Sequence, residues 1–285
     1  MAQREIIREV IEYPQIKKSL IKDKFDFVVT ETNYTKTIKQ SNLKLFFTDD
    51  EKDFNELKLL NMVKRDAKLY IKNQSEKIKN VHESEIDFYK FFEYSNFKKN
   101  PNELTHVYKI DLSSAYWSHA VGMGIISKES QDFFLKMDSL DTYTDKKGKK
   151  SGFINGSKKA RLKALGSLAT RKLKTTYING LQDGIPSIIQ NEFLRNLYLV
   201  VCDEVDQIMK SICNHYNADA IYYYWDCVFL NAENIKPEDV LKFIKKFGFN
   251  AKFDESYISV DTLYSPMITD VVQKIDYCIN KKDIL

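Results

Sequence analysis

An α+β fold, with helices on one face of a largely antiparallel sheet, is predicted by the order of elements from Val107 onward. That order reads strand, helices, basic helix, long helix, strand, helix, strand, strand. Two runs anchor the sheet. Tyr108 to Trp117 reads Y-K-I-D-L-S-S-A-Y-W, and Ala220 to Leu230 reads A-I-Y-Y-Y-W-D-C-V-F-L. Each sets one aspartate, Asp111 or Asp226, among apolar and aromatic residues with strand character. An ionised carboxylate buried there is costly unless it is paired or bound to a cation, so two such strands point to a shared metal.

The chain is long enough, at 285 residues, to bury a substantial core. With 29% charged and 43% hydrophobic residues it has the composition of a soluble protein, and no apolar run reaches the length of a membrane span. The first ten residues mix acid and base, unlike a secretory signal, and a cytoplasmic location is expected. Cys202, Cys213, Cys227 and Cys278 show neither C-x-x-C pairing nor zinc-finger spacing, so reduced, mostly buried thiols are expected.

Taken in order, apolar residues from Glu5 to Tyr13 recur at helical spacing, and Pro14 is expected to close that helix. Phe25 to Thr30 and Leu43 to Thr48 read as strands, Asp53 to Tyr70 and Glu83 to Phe92 as helices. The Asn- and Pro-containing stretch Asn96 to Leu104 reads as a connection. It divides the chain into an N-terminal accessory region, 1–104, and a second region, 105–285. Val107 to Leu112 is the first strand of that region, followed by a turn and helix from Ser113 to Val121. Another helix is expected between Gly122 and Leu140, then a turn-rich segment from Asp141 to Ser157.

Net charge is only +4, yet its distribution is uneven. Between Lys146 and Lys174 no Asp or Glu interrupts a series that includes Lys149, Lys150, Lys158, Lys159, Arg161, Lys163, Arg171, Lys172 and Lys174. Ser157 is a candidate N-cap for a basic amphipathic helix there. Uncompensated positive charge of this extent suits a polyanion, whose phosphates supply the counter-charge; a solvated face is the alternative. Pro186 to Tyr216 reads as one long helix and Ile221 to Leu230 as a strand. Lys236 to Phe247 reads as a helix closed by Gly248, followed by strands near Phe249 to Phe253 and Tyr257 to Val260. Val271 to Ile279 is a last candidate helix.

Three segments together resemble family B DNA polymerases. D-L-S-S-A-Y, Asp111 to Tyr116, is similar to the family's motif A, D-x-x-S-L-Y. I-Y-Y-Y-W-D-C, Ile221 to Cys227, is similar to motif C, V-Y-x-D-T-D-S, with Asp226 on the second aspartate. K-A-L-G-S-L-A-T, Lys163 to Thr170, resembles a degraded motif B. Tyr224 stands at the first motif C aspartate, Gly166 and Ala169 replace the Asn and Tyr of motif B, and Lys163 sits one residue late. A reverse-transcriptase-like palm is the second resemblance, with Y-W-D-C standing for Y-x-D-D.

The resemblance implies a compact, exonuclease-less palm and fingers within 105–285. It implies a DNA polymerase that uses Mg²⁺ or Mn²⁺, with Asp111, Asp226 and the Leu112 carbonyl as metal ligands. Ser113, Ser114 and Tyr116 would lie at the nucleotide, the ring beneath the sugar. Lys159, Arg161 and Lys163 are candidates for the triphosphate; Lys149, Lys150, Lys158, Arg171, Lys172 and Lys174 for DNA. The implied partners are a primer-template, nucleoside triphosphates and further replication proteins, with no membrane. A catalytically inactive, nucleic-acid-binding palm is the alternative. Asp111 also reads as an N-cap for the helix after it. Tyr222, Tyr223 and Tyr224 read as sheet packing or as base-stacking rings.

Overall fold

The computed structural model describes residues 13–32, 35–48, 54–92, 105–140, 152–153, 156–258 and 279–280. Its elements are helices and two antiparallel sheets, an α+β fold. Compactness divides the chain into two discontinuous units, Met1–Lys68 with Asp132–Arg195, and Leu69–Gln131 with Asn196–Leu285. The connection expected at Asn96 to Leu104 lies outside the described residues.

The first unit holds a five-stranded sheet of order β3-β2-β1-β6-β7. Its strands are β1 (Phe27–Glu31), β2 (Thr35–Gln40), β3 (Leu43–Thr48), β6 (Lys172–Ile178) and β7 (Leu181–Ile189). Helix α1 (Tyr13–Lys22) lays Tyr13, Ile16 and Leu20 against Phe27, Val29, Ile38 and Tyr177. The Phe27 and Tyr177 rings stack 4.4 Å apart. Pro14 lies within α1, so the chain is helical past it to Lys22 and does not close there. The helix expected over Glu5 to Tyr13 falls otherwise outside the described residues.

Helix α5 (Gly156–Gly166) lies in this unit, and α2 (Phe54–Gln74) and α4 (Lys128–Asp138) run across its boundaries in the chain, after Lys68 and before Asp132. The chain from Lys172 to Ile189 corrects two expectations. Pro186 does not start a long helix but lies in β7, an edge strand where a missing donor is tolerated. The basic helix ends at Gly166, and the last basic residues of the run, Lys172 and Lys174, belong to strand β6. Asn179 and Gly180, at φ 50° and 74°, form the two-residue turn between β6 and β7. Asn-Gly suits this because both central positions of such a turn require positive φ.

The second unit holds a six-stranded sheet of order β11-β10-β5-β9-β8-β4. The strands are β4 (Tyr89–Phe91), β5 (Thr105–Leu112), β8 (Ala220–Tyr224), β9 (Cys227–Asn231), β10 (Ala251–Ile258) and β11 (Ile279–Asn280). One sheet face packs on α6 (Glu192–His215) and α7 (Pro237–Lys245). Ile110, Leu112, Tyr223, Val228 and Leu230 meet Val205, Met209 and Ile212 of α6 and Val240 and Ile244 of α7. Burying side chains of this size stabilises the fold by about 1.5–3 kcal/mol each before chain entropy is counted.

Helix α3 (Ala115–Gly122) follows β5 directly. Glu83 to Phe92, expected as a helix, is a 3₁₀ turn at Glu83–Glu85 followed by β4. The strands expected near Phe249 and Tyr257 are one strand, β10. Cys202, Cys213 and Cys227 are buried and unbridged, and burial pushes the Cys202 and Cys213 thiols up to about 12. The expected helix from Val271 lies almost wholly outside the described residues. Among the described residues no helix is long and apolar enough to cross a membrane.

Candidate functional site

Strand β5 is interior, paired with β9 on one side and β10 on the other, so its C-terminal end has neighbours on both flanks. In register, Asp111 faces Cys227 of β9 and Lys252 of β10. One residue on, the Leu112 N–H donates to the Asp226 carbonyl at 2.8 Å. Asp111, on β5, and Asp226, in the turn that leads into β9, are thus one register step apart. Two aspartates far apart in the chain share one end of the sheet.

Ile221 to Leu230 is a hairpin and not a single strand: Tyr224 pairs with Cys227 across the turn Trp225–Asp226. Nor are the aspartates buried. Asp111 is exposed and Asp226 half-buried, so the burial cost expected of them is largely absent. Strand ends and turns are where the chain stops packing on both faces, which explains the difference. The N-cap reading of Asp111 also gives way, because the N-cap position of α3 is Ser114, at φ 58° and without a side-chain cap bond.

Ser113, Ser114 and Tyr116 follow the end of β5. The Ser113 N–H donates to the Asn250 carbonyl at 2.7 Å, fixing the end of β5 to the entry of β10. The Ser114 carbonyl accepts from the Ser118 N–H at 2.9 Å and starts α3. Tyr116, in the first turn of α3, is half-buried with its ring 6.1 Å from that of Trp225, edge to face. Burial first, then Cys202 and Asp226, push its phenol upward, so it stays protonated. Tyr116 and the Trp225–Asp226 turn are therefore neighbours.

Trp225 holds that turn. Its φ of 54° is left-handed, which costs a bulky residue about 1–2 kcal/mol. Phe88, itself at φ 48°, offsets this: its carbonyl accepts from the Trp225 N–H at 2.6 Å, and the two rings lie 4.5 Å apart. Beneath the hairpin, Asp206 of α6 is 3% exposed and accepts from the Tyr223 hydroxyl at 2.7 Å and from the Lys210 ammonium at 2.8 Å. Lys210 also reaches Asp87 at 2.8 Å. Burial alone would lower Lys210; its bonds to both carboxylates outweigh that and hold it charged. Tyr222 and Tyr223 are buried in the sheet, which settles them as packing residues; Tyr224 is half-buried.

The basic residues belong to the first unit. Lys163 donates to Glu56 of α2 at 2.7 Å, and Glu56 is only 7% exposed, so a sequence-distant carboxylate balances this charge. Arg161 lies over the Phe134 ring, 5.1 Å from its centroid, and burial lowers its pKa against the pull of Asp138. Lys158 and Lys159 are exposed on α5, Arg171 and Lys172 are exposed at the start of β6, and Lys174 is half-buried in β6. Lys149 and Lys150 lie outside the described residues.

Sequence reasoning missed Phe88, Lys252 and the Asp206–Lys210 pair. The i, i+4 spacing of Asp206 and Lys210 was a signal for the last; the others depend on strand register alone. Among the described residues, no three His, Cys, Asp or Glu side chains gather into a metal cage. Two carboxylates with a peptide carbonyl are nonetheless a hard oxygen set of the kind Mg²⁺ or Mn²⁺ uses when water and substrate complete the shell. No protein-family model matches the chain, and no curated protein matches it in sequence.

Proposed function

We propose that the chain is a metal-dependent nucleotidyltransferase of the polymerase-palm type, acting on DNA. The observation that supports this most is the register of β5 and β9, which sets Asp111 and Asp226 one step apart at a sheet end with Tyr116 beside the turn. In this reading Asp111, Asp226 and the Leu112 carbonyl hold divalent cations. Bound there, such ions neutralise charge on the phosphates and favour an ionised 3′-hydroxyl.

The chain's own residues then orient and shield. The flat Tyr116 ring supplies an apolar floor for a sugar, and Ser113 and Ser114 line the way from strand to helix. Lys252, the register partner of Asp111, contributes positive charge at the edge of the site, which favours anionic substrate and a departing pyrophosphate. Lys159 and Arg161 remain the triphosphate candidates, since Glu56 already holds the charge of Lys163. Nucleoside triphosphates, a primer-template and other replication proteins are the partners this implies, in the cytoplasm.

Primer extension with Mg²⁺ or Mn²⁺ tests the reading. Asp111→Asn and Asp226→Asn should each lower incorporation by on the order of a thousandfold while the circular dichroism spectrum is unchanged. A folded wild-type protein that extends no primer with either metal would sink it. Tyr224, standing where the family has a third acid, favours a second reading: an inactive palm that binds nucleic acid. Salt-sensitive DNA binding by a wild-type protein without incorporation selects that one.

A further inference from the structure

The five-stranded sheet has two unlike faces, because register partners on neighbouring strands share a face and successive residues alternate between faces. Phe27, Val29, Ile38 and Tyr177 lie on one, buried under Tyr13, Ile16 and Leu20 of α1. The register assigns the other. Lys44 of β3, Lys39 of β2, Val28 of β1 and Thr176 of β6 form one row across it. Thr37, Thr30 and Lys174 form the next, and Lys172 lies two residues along β6 from Lys174. None of these residues is buried: Lys39, Lys44 and Lys172 are exposed, the others half-buried. The acid of these four strands, Glu31, stands on the face that α1 covers, where the Tyr13 hydroxyl donates to it. The open face therefore carries lysines and threonines without an acid on β1, β2, β3 or β6.

We infer that this open face is a docking surface for a nucleic-acid backbone, with Lys39, Lys44, Lys172 and Lys174 set against phosphates and the Thr30, Thr37 and Thr176 hydroxyls donating to phosphate oxygens. Charge complementarity carries the inference. Lys39 and Lys44 are direct register partners, and like charges so placed destabilise a sheet until an anion lies between them. Lys44 and Lys174 stand three strand spacings apart, about 14 Å, so the charge is spread over a broad surface and not gathered in a cleft. An extended polymer fits such a surface better than a free nucleotide, which binds in concave sites. That the polymer is a nucleic acid rests on the proposed function; the face itself is read from register and burial and uses neither Asp111 nor Asp226. Contacts to phosphate carry no base sequence, so binding here is sequence-independent and weakens steeply with salt.

The test is fluorescence anisotropy of the full chain with duplex DNA bearing a 5′ overhang, over a range of salt. Lys39→Gln combined with Lys44→Gln should weaken binding at least about tenfold at low salt and reduce the salt slope by about two, and arginine at both positions should retain both. The control removes the same charge from α1. Lys18→Gln combined with Lys22→Gln, two exposed residues, should leave affinity and slope unchanged. Equal losses in the two double variants overturn the surface, since net charge would then account for binding, and so does a wild-type chain that binds no DNA at low salt. Attachment to phosphatidylserine vesicles that needs Lys39 and Lys44, while DNA binding does not, overturns the assignment to a nucleic acid. The readout is binding without incorporation. A chain that extends no primer can still pass, and one that extends primers but binds as well without the two lysines keeps the proposed function and loses this surface.

Discussion

The β6–β7 hairpin turns through Asn179 and Gly180, residues suited to positive φ, whereas the β8–β9 hairpin turns through Trp225 and Asp226 with an indole-bearing residue in the left-handed region. The first leaves β7 exposed, with Leu181 at 75% and Ile185 at 93%. The second buries Tyr222, Tyr223 and all of β9. One turn is relaxed and carries no acid. The other is strained, held by Phe88, and carries an acid beside a second one. Strain that surrounding structure has to maintain collects where geometry matters to function, and here the strained turn bears the candidate ligand.

The sharpest way to break this comparison is to neutralise one acid in each hairpin. Asp226→Asn should lower metal-dependent incorporation by on the order of a thousandfold, while Asp183→Asn in β7 should leave it unchanged, as measured by primer extension. Equal losses would show that the difference between the turns has no chemical meaning. Next in size is the support beneath the second hairpin. Asp206→Ala strips the Tyr223 hydroxyl and the Lys210 ammonium of their partner and should cost about 3 kcal/mol in denaturant unfolding.

The first hairpin offers an internal control. A Cβ at Gly180 would collide with the Ile21 carbonyl, whereas one at Gly184, also at positive φ, would meet open space. Gly180→Ala should therefore cost about 2 kcal/mol or more and Gly184→Ala only about 1 kcal/mol, the backbone strain alone. The smallest effect concerns Lys64. Its pKa is lower in the folded chain than in the unfolded one, so between about 8 and 10.5 the unfolded state binds the extra proton and stability rises with pH. Lys64→Met should raise Tm by about 2 °C at pH 7, a gain that fades above pH 10.

Much of the fold was legible because it is local. The hydrophobic spacing of α2, α6 and α7 and the apolar runs of β3 and β5 need nothing but their own residues. Pro186 misled by suggesting a helix start, although Asn179-Gly180 between apolar runs is a hairpin signal a few residues earlier. Trp225-Asp226 is not a turn dipeptide by chemistry, which is why the sequence reads there as one strand. The candidate site was legible as two aspartates but not as an arrangement. Lys252 beside Asp111 follows from pairing of β5 with β10, and Glu56 against Lys163 from tertiary packing; neither has a local trace. The acid-free run from Lys146 to Lys174 overstated the free charge for that reason.

The grip of Phe88 on Trp225 has a consequence for assembly. A two-residue hairpin is a local structure that a chain can form on its own, yet this one takes its working shape only when a segment encoded far upstream has docked at its edge. If Asp226 is a metal ligand as proposed, the pose of its carboxylate then depends on the segment carrying Phe88 as well as on the hairpin itself.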